Sequence, residues 1–268
     1  MIDYAAKFGL EFNPFEKNAK LIPVQSADTN ELSLRLDYLG GAKGFGVVTG
    51  EPGRGKTTGV RIWSSALNPS LFKVTYNTLS TLTVMDFYRQ IAIGLGAEAK
   101  FRKNDLFNDI QKEVKRFALE KRITPVIIID EADKLSHKVL SDLQIMFNFE
   151  MDSRDLAIIL LVGQPQLNTT LNQGTHESLR QRIVMNYHMD GLSKEDGRLY
   201  ISKKLEGAGS RQTVFNENAL EAILNSANGT ARMINKICDR SMLIGAELGT
   251  NIIDADTVLK AVDDIQLG

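Results

Sequence analysis

The sequence predicts an α/β fold: a mostly parallel sheet covered by helices on both faces, followed by a small all-helical domain. Three observations predict it. Residues 50–57 read GEPGRGKT directly after the apolar, β-branched run Phe45-Gly46-Val47-Val48-Thr49, and a glycine-rich loop between a strand and a helix belongs to α/β folds. Short apolar runs then alternate with stretches of helical periodicity as far as Asp190, the pattern of a parallel sheet with covered faces. Beyond that point the strand signal stops and only helical periodicity remains.

Each element has its own signal. Residues 1–44 form an N-terminal arm punctuated by Phe8-Gly9-Leu10 and Asn13-Pro14-Phe15, and Asp28 to Leu39 carries apolar residues at helical spacing. In the core, 45–190, Thr58 to Trp63 continues the loop as a helix and Phe72 to Tyr76 reads as a second strand. Leu82 to Leu95 and Leu106 to Leu119 read as helices, Val126 to Asp130 as a buried strand, Lys138 to Phe149 as a helix, and Leu156 to Val162 as another buried strand. In 191–268, Ser193-Lys194-Glu195-Asp196 opens a helix with a capping-box-like Ser-x-x-Asp. Asn216 to Leu224, Thr230 to Leu248 and Asp254 to Val262 supply three more. The boundary near Gly191 is a change of periodicity rather than a flexible linker, so the two parts are expected to pack together, with room for a nucleotide between them.

Composition narrows the partners. The chain has 268 residues, 43% hydrophobic and 24% charged, with a net charge of -1, so contact with nucleic acid has to come from a local basic patch and not from a whole-molecule field. The single cysteine, Cys238, excludes an internal disulfide and lies in an apolar, helix-like stretch where a buried structural thiol is expected. No run approaches the roughly 18 apolar residues that span a bilayer, and the N-terminus lacks the pattern of a signal peptide. A cytoplasmic protein with no membrane contact is the expectation.

The motif at residues 50–57 is a complete match to the P-loop pattern G-x-x-x-x-G-K-[ST]. Its glycines let backbone N–H groups turn inward around phosphate oxygens, and the following helix aims its positive end at the same anion. Gly50, Glu51, Pro52, Gly53, Arg54, Gly55, Lys56, Thr57 and Thr58 are therefore the expected ATP-binding residues, with Lys56 on the β- and γ-phosphates and the Thr57 hydroxyl on Mg²⁺. Val126-Ile127-Ile128-Ile129-Asp130-Glu131 is an apolar strand ending in two acids. Asp130 would orient the Mg²⁺ shell and Glu131 would polarise the attacking water. The competing reading, a buried strand followed by two solvated acids, loses ground because a P-loop stands upstream.

The next apolar strand ends in Gly163-Gln164-Pro165. Carboxyl ends of adjacent parallel strands gather at the ligand crevice, which places Gln164 to sense the γ-phosphate or the water. Leu179-Arg180-Gln181-Arg182-Ile183 sets two arginines beside an apolar position. An arginine supplied across a subunit interface neutralises charge on the γ-phosphate, but the spacing fits a solvated pair equally well. Arg232, in Gly229-Thr230-Ala231-Arg232 at a helix start, is placed to reach back to the phosphates or to stay on the surface.

Taken in order, GEPGRGKT, IIIDEAD, LLVGQPQL, LRQRI and NGTARMINKICD resemble AAA+ ATPases of the ExeA type. Within that group the chain looks like the transposon-encoded helpers related to TnsC, IstB and the B protein of phage Mu. The resemblance covers almost the whole chain, including the arm FGLEFNPF. It implies a RecA-like P-loop AAA+ core with a helical lid, Walker A at 50–57, Walker B at Asp130 and Glu131, and sensor 1 at Gln164. It also implies an arginine finger at Arg182, with Arg180 in reserve, and a sensor 2 arginine at Arg232. Many AAA+ proteins carry asparagine or threonine at sensor 1, so glutamine departs from the common pattern.

The resemblance admits two roles. One is an ATP-dependent DNA-binding regulator of transposition that assembles on target duplex DNA, as a ring or helical filament, and recruits or activates a transposase. The other is the ExeA-type secretion ATPase, which carries a membrane span and a peptidoglycan-binding region after its ATPase. The sequence given ends at Gly268 with neither, and on that ground the transposition helper is expected. A third reading is a nucleotide-controlled scaffold with little turnover. The best candidates for DNA contact are Lys100, Arg102 and Lys103 around Phe101, ahead of a helix whose basic residues interleave with Asp105, Asp109, Glu113 and Glu120.

Overall fold

The computed structural model describes residues 4–20, 22–78, 83–149 and 154–265. It contains five strands in the order β2-β3-β4-β1-β5: β1 (Gly44–Gly50), β2 (Phe72–Thr78), β3 (Thr124–Asp130), β4 (Ile158–Gly163) and β5 (Ile183–Met189). Every pairing is parallel. The helices α1 (Tyr4–Lys7), α2 (Ala27–Ala42), α3 (Lys56–Ala66), α4 (Val84–Leu95), α5 (Lys103–Lys115) and α6 (His137–Met146) come before β4. After it come α7 (Gln166–Leu171), α8 (Glu177–Arg180), α9 (Lys194–Gly207), α10 (Glu217–Ala227), α11 (Ala231–Glu247) and α12 (Ala255–Ile265). No described helix is long and apolar enough to cross a membrane.

Contacts divide the chain into two compact units, residues 31–51 with 56–189, and residues 1–30 with 52–55 and 190–268. In the first, strands covered on both faces are apolar at successive positions, as VIII in β3 and IILLVG in β4 show. Val47, Ile127, Ile129, Ile159 and Leu161 face one core with side chains of α4, α5 and α6. Val48, Val126, Ile128, Leu160 and Val162 face the other with Leu32, Leu36 and Leu39 of α2 and Val60 and Trp63 of α3. In the second unit the arm residues Phe8, Leu10 and Phe15 share a core with Ile223, Ile234, Ile237, Met242 and Val258. Cys238 is fully buried there, and burial pushes its thiol well above the ordinary range.

Helix starts follow their caps. Thr83, Ser136, Ser193 and Asn216 each accept a backbone N–H three residues on. Three details differ from the sequence reading. The helix expected over 138–149 ends at Met146, and Phe149 instead forms an antiparallel bridge with Arg154. The helix expected over 106–119 passes at Arg116 into a π-helical turn that runs to Glu120. Strand β5 was not expected, although Ile183, Met185, Tyr187 and Met189 recur with period two. The expected start of α4, Leu82, lies outside the described residues.

Candidate nucleotide-binding site

Strand β1 is buried along its whole length and delivers Gly50 to the carboxyl edge of the sheet. Residues 51–55 make the turn, and α3 starts at Lys56, so the positive end of its dipole lies at the turn, where an anion is favoured. The turn needs glycine at two points. Gly53 and Gly55 sit at φ +83° and +102°, and a Cβ on Gly53 would lie 2.8 Å from the Thr230 methyl and 2.9 Å from the Cβ of Arg232. The Lys56 ammonium donates to the carbonyls of Gly50, at 2.6 Å, and Glu51, at 3.0 Å. Glu51, Pro52, Thr57 and Thr58 are exposed.

Arg54 and Arg232 belong to the unit that holds the C-terminal helices. The Arg54 guanidinium donates to the Asn228 carbonyl at 2.6 Å, and the Arg232 N–H donates to the Gly53 carbonyl at 3.4 Å. Arg232 therefore stands beside the loop's second glycine, with its side chain exposed.

At the end of β3, Asp130 is 8% exposed. Its Oδ2 accepts the Thr57 hydroxyl at 2.8 Å and the Tyr76 hydroxyl at 2.7 Å, while Oδ1 accepts the Glu131 N–H at 2.9 Å. Desolvation, followed by the bond to Asp130, raises the Tyr76 hydroxyl far above its ordinary pKa. Glu131 adopts φ +55°, a left-handed conformation that costs a non-glycine residue about 1 kcal/mol or more and collects at functional sites. It turns the Glu131 side chain away from the strand into a half-exposed position, paired with Lys134. A threonine hydroxyl and one carboxylate form a small all-oxygen donor set. Such a set fits Mg²⁺, which keeps most of its waters and takes its remaining ligands from phosphate.

Gln164 follows β4, whose Gly163 is in register with Thr49 of β1. Its N–H donates to the Asp133 carboxylate at 2.9 Å, so its backbone is anchored beside the turn that follows β3 and its side chain is half-buried. A hydrogen-bonded row at the same edge links Asn168, Thr49 and His188, at 3.0 Å each. Arg182 lies at the other edge. Its neighbour Ile183 is in register with Phe45, five residues before Gly50, so at the strand rise of about 3.3 Å per residue roughly 17 Å separate it from its own P-loop. The Arg182 guanidinium donates to the Gln144 carbonyl at 2.8 Å, and burial pulls its pKa down. Arg180, exposed, donates to the Asn172 carbonyl at 3.1 Å.

The basic cluster is more committed than its sequence suggested. Lys100 pairs with Asp109 at 2.7 Å and Lys103 with Asp142 at 2.6 Å. Arg102 is exposed at the N-cap of α5. Phe101 is 86% exposed, with Arg89 over its ring.

The sequence reading brought Lys56, Thr57, Asp130 and Glu131 to one edge and missed Tyr76, Thr49, Asp133, Asn168 and His188. Strand ends carried the available signal for Thr49, a polar side chain at the end of the otherwise apolar β1; Tyr76 lies on the mixed strand FKVTYNT, where one more polar residue carries no signal.

A family model described as an AAA domain matches residues 39–171. The chain is 33% identical over 267 residues to General secretion pathway protein A of Aeromonas hydrophila, covering 97% of this chain and 48% of that protein. It is 30% identical over 145 residues to an uncharacterized HTH-type transcriptional regulator of Methanocaldococcus jannaschii, covering 52% of this chain and 35% of that one. This chain thus spans about half the length of these relatives, or less. Among solved structures it is similar to Cdc6p from Pyrobaculum aerophilum (TM-score 0.71, 17% identity, 95% of this chain and 71% of that one). It is also similar to the ORC1 protein of Aeropyrum pernix in complex with DNA (0.67, 16%, 94% and 68%) and to the RuvB Holliday junction branch migration motor of Thermotoga maritima (0.56, 20%, 91% and 70%). At these identities the likeness establishes the fold, which is the P-loop AAA+ fold.

Proposed function

We propose that this chain is an ATPase whose site is completed by a second copy of itself. The observation that carries the reading is the junction of Thr57, Asp130 and Glu131: the hydroxyl of the P-loop threonine is bonded to the Walker B aspartate, and the next residue is an acid turned outward by a left-handed backbone. Lys56 would exchange the Gly50 and Glu51 carbonyls for the β- and γ-phosphates, gaining charged acceptors in place of neutral ones. Thr57 and Asp130 would hold Mg²⁺, which neutralises charge on the β- and γ-oxygens. Glu131, released from Lys134, takes a proton from water as the water oxygen bonds to the γ-phosphorus and the bond to ADP breaks. Gln164 orients that water. Arg182 would act on the γ-phosphate of a neighbouring copy, because its own P-loop is at the opposite strand edge; Arg180 is the reserve. Arg232, beside Gly53, would report nucleotide state to the helical unit. Self-assembly into a ring or a filament follows from a site shared between copies.

Glu131→Gln tests the reading. ATP binding should persist while turnover falls by about a hundredfold or more, since only the water-activating group changes. Undiminished turnover would sink the assignment.

For the role of that ATPase, similarity to General secretion pathway protein A over 97% of this chain supports ATP-driven assembly of the secretion type. The transposition-regulator reading, with a transposase as partner, draws on a different observation: an exposed Arg102 beside a Phe101 that is 86% exposed, a cation and an aromatic able to meet a phosphate backbone. ATP-dependent binding to duplex DNA, weakened by alanine at Lys100, Arg102 and Lys103, separates the two.

A further inference from the structure

We propose that Tyr76 is a positioning residue of the magnesium site, holding Asp130 so that the Thr57 hydroxyl turns its free lone pairs outward to the metal. The inference rests on the Mg²⁺–ATP reading above. Strand β2 is the edge strand beside β3, and Tyr76 is in register with Ile128, two residues short of Asp130. A long side chain can span that offset along the strand, and the tyrosine oxygen reaches Oδ2 at 2.7 Å. The ring belongs to none of the three apolar cores and the residue is 51% exposed, so packing does not account for it. Proton accounting gives the hydroxyl its task. Asp130 accepts three donors, from Thr57, Tyr76 and the Glu131 backbone, which fixes its carboxylate in one orientation. Thr57 has one hydroxyl proton, and it is spent on Oδ2. The oxygen's remaining lone pairs therefore face away from Asp130, as a cation ligand requires. Without Tyr76 the carboxylate keeps only two of its three tethers, and groups that orient a metal site from behind typically govern its affinity.

The test is a Mg²⁺ titration of ATP binding by calorimetry for the full chain as wild type, Tyr76→Phe, Asp130→Asn and the double variant. Phenylalanine fills the same exposed edge, so thermal stability serves as the folding control. In Tyr76→Phe the half-saturating Mg²⁺ concentration should rise about tenfold, metal-free ATP affinity should stay at the wild-type value, and in the Asp130→Asn background the same change should add nothing. Equal Mg²⁺ dependence in wild type and Tyr76→Phe overturns the proposal. So does a fall in metal-free ATP affinity, which marks a structural role. A wild type whose ATP binding ignores Mg²⁺ overturns the metal reading of Thr57 and Asp130 itself, and Tyr76's role with it.

Discussion

At the scale of single residues, the site is built by proton placement as much as by position. The placement of Lys56, Thr57, Asp130 and Glu131 at one sheet edge was legible because both motifs directly follow an apolar strand. Tyr76 was not, because its role depends on a neighbouring strand that lies some fifty residues away in sequence. The histidines were equally hidden. His137 Nδ1 and His176 Nε2 lie 2.8 Å apart, and the buried His176 Nδ1 has no hydrogen-bond partner among the described residues. The low-cost tautomer has His176 donating through Nε2, which leaves Nδ1 unprotonated; protonating His176 would bury an unpaired N–H. Burial accordingly holds the His176 pKa below the ordinary histidine value, and His137 adds to the effect. The folded protein then binds fewer protons than the unfolded chain once pH falls below about 6.5. Stability should be fully present above that pH and decline as pH drops toward the folded value. Melting temperature measured from pH 7.5 to 5 should show this decline, and it should be weaker in His176→Gln.

Among the elements, those with one dominant signal were legible and those with two competing signals were not. Strands β1, β3 and β4 read directly because burial on both faces makes them continuously apolar. The edge strand β5 alternates instead, with a period-two pattern that begins directly after Arg182. Helix ends depended on caps: Ser193 marked α9, while nothing local marks the end of α6 at Met146. Two glycines at the ends of α10 and α11 separate backbone strain from crowding. Gly249, at φ +77°, has open space where a Cβ would go, so Gly249→Ala should cost about 1 kcal/mol of unfolding free energy. Gly229, at φ +71°, would place a Cβ 2.4 Å from the Arg54 guanidinium and 2.8 Å from the Leu192 carbonyl. Gly229→Ala should therefore cost more, about 3 kcal/mol, by denaturant titration. Equal costs would mean that both the Arg54 side chain and the Leu192 carbonyl give way freely.

At the scale of the whole molecule, the proposed catalysis is a property of an assembly. Arg182 stands roughly 17 Å along the strands from its own P-loop, tied to Gln144, and the spacing of Arg180 and Arg182 in sequence fits a finger and a solvated pair equally well. The sheet register, which sets Ile183 against Phe45, supports the proposed action on a neighbouring copy. The direct measurement is steady-state ATP turnover in equimolar mixtures of Arg182→Ala and Glu131→Gln chains, with co-assembly verified by light scattering. Each variant alone should be nearly inactive. In random mixtures about a quarter of the interfaces bring an intact Glu131 together with a neighbour's intact Arg182, so turnover should recover toward that fraction of wild type. Co-assembled mixtures that stay as inactive as either variant alone would contradict the account.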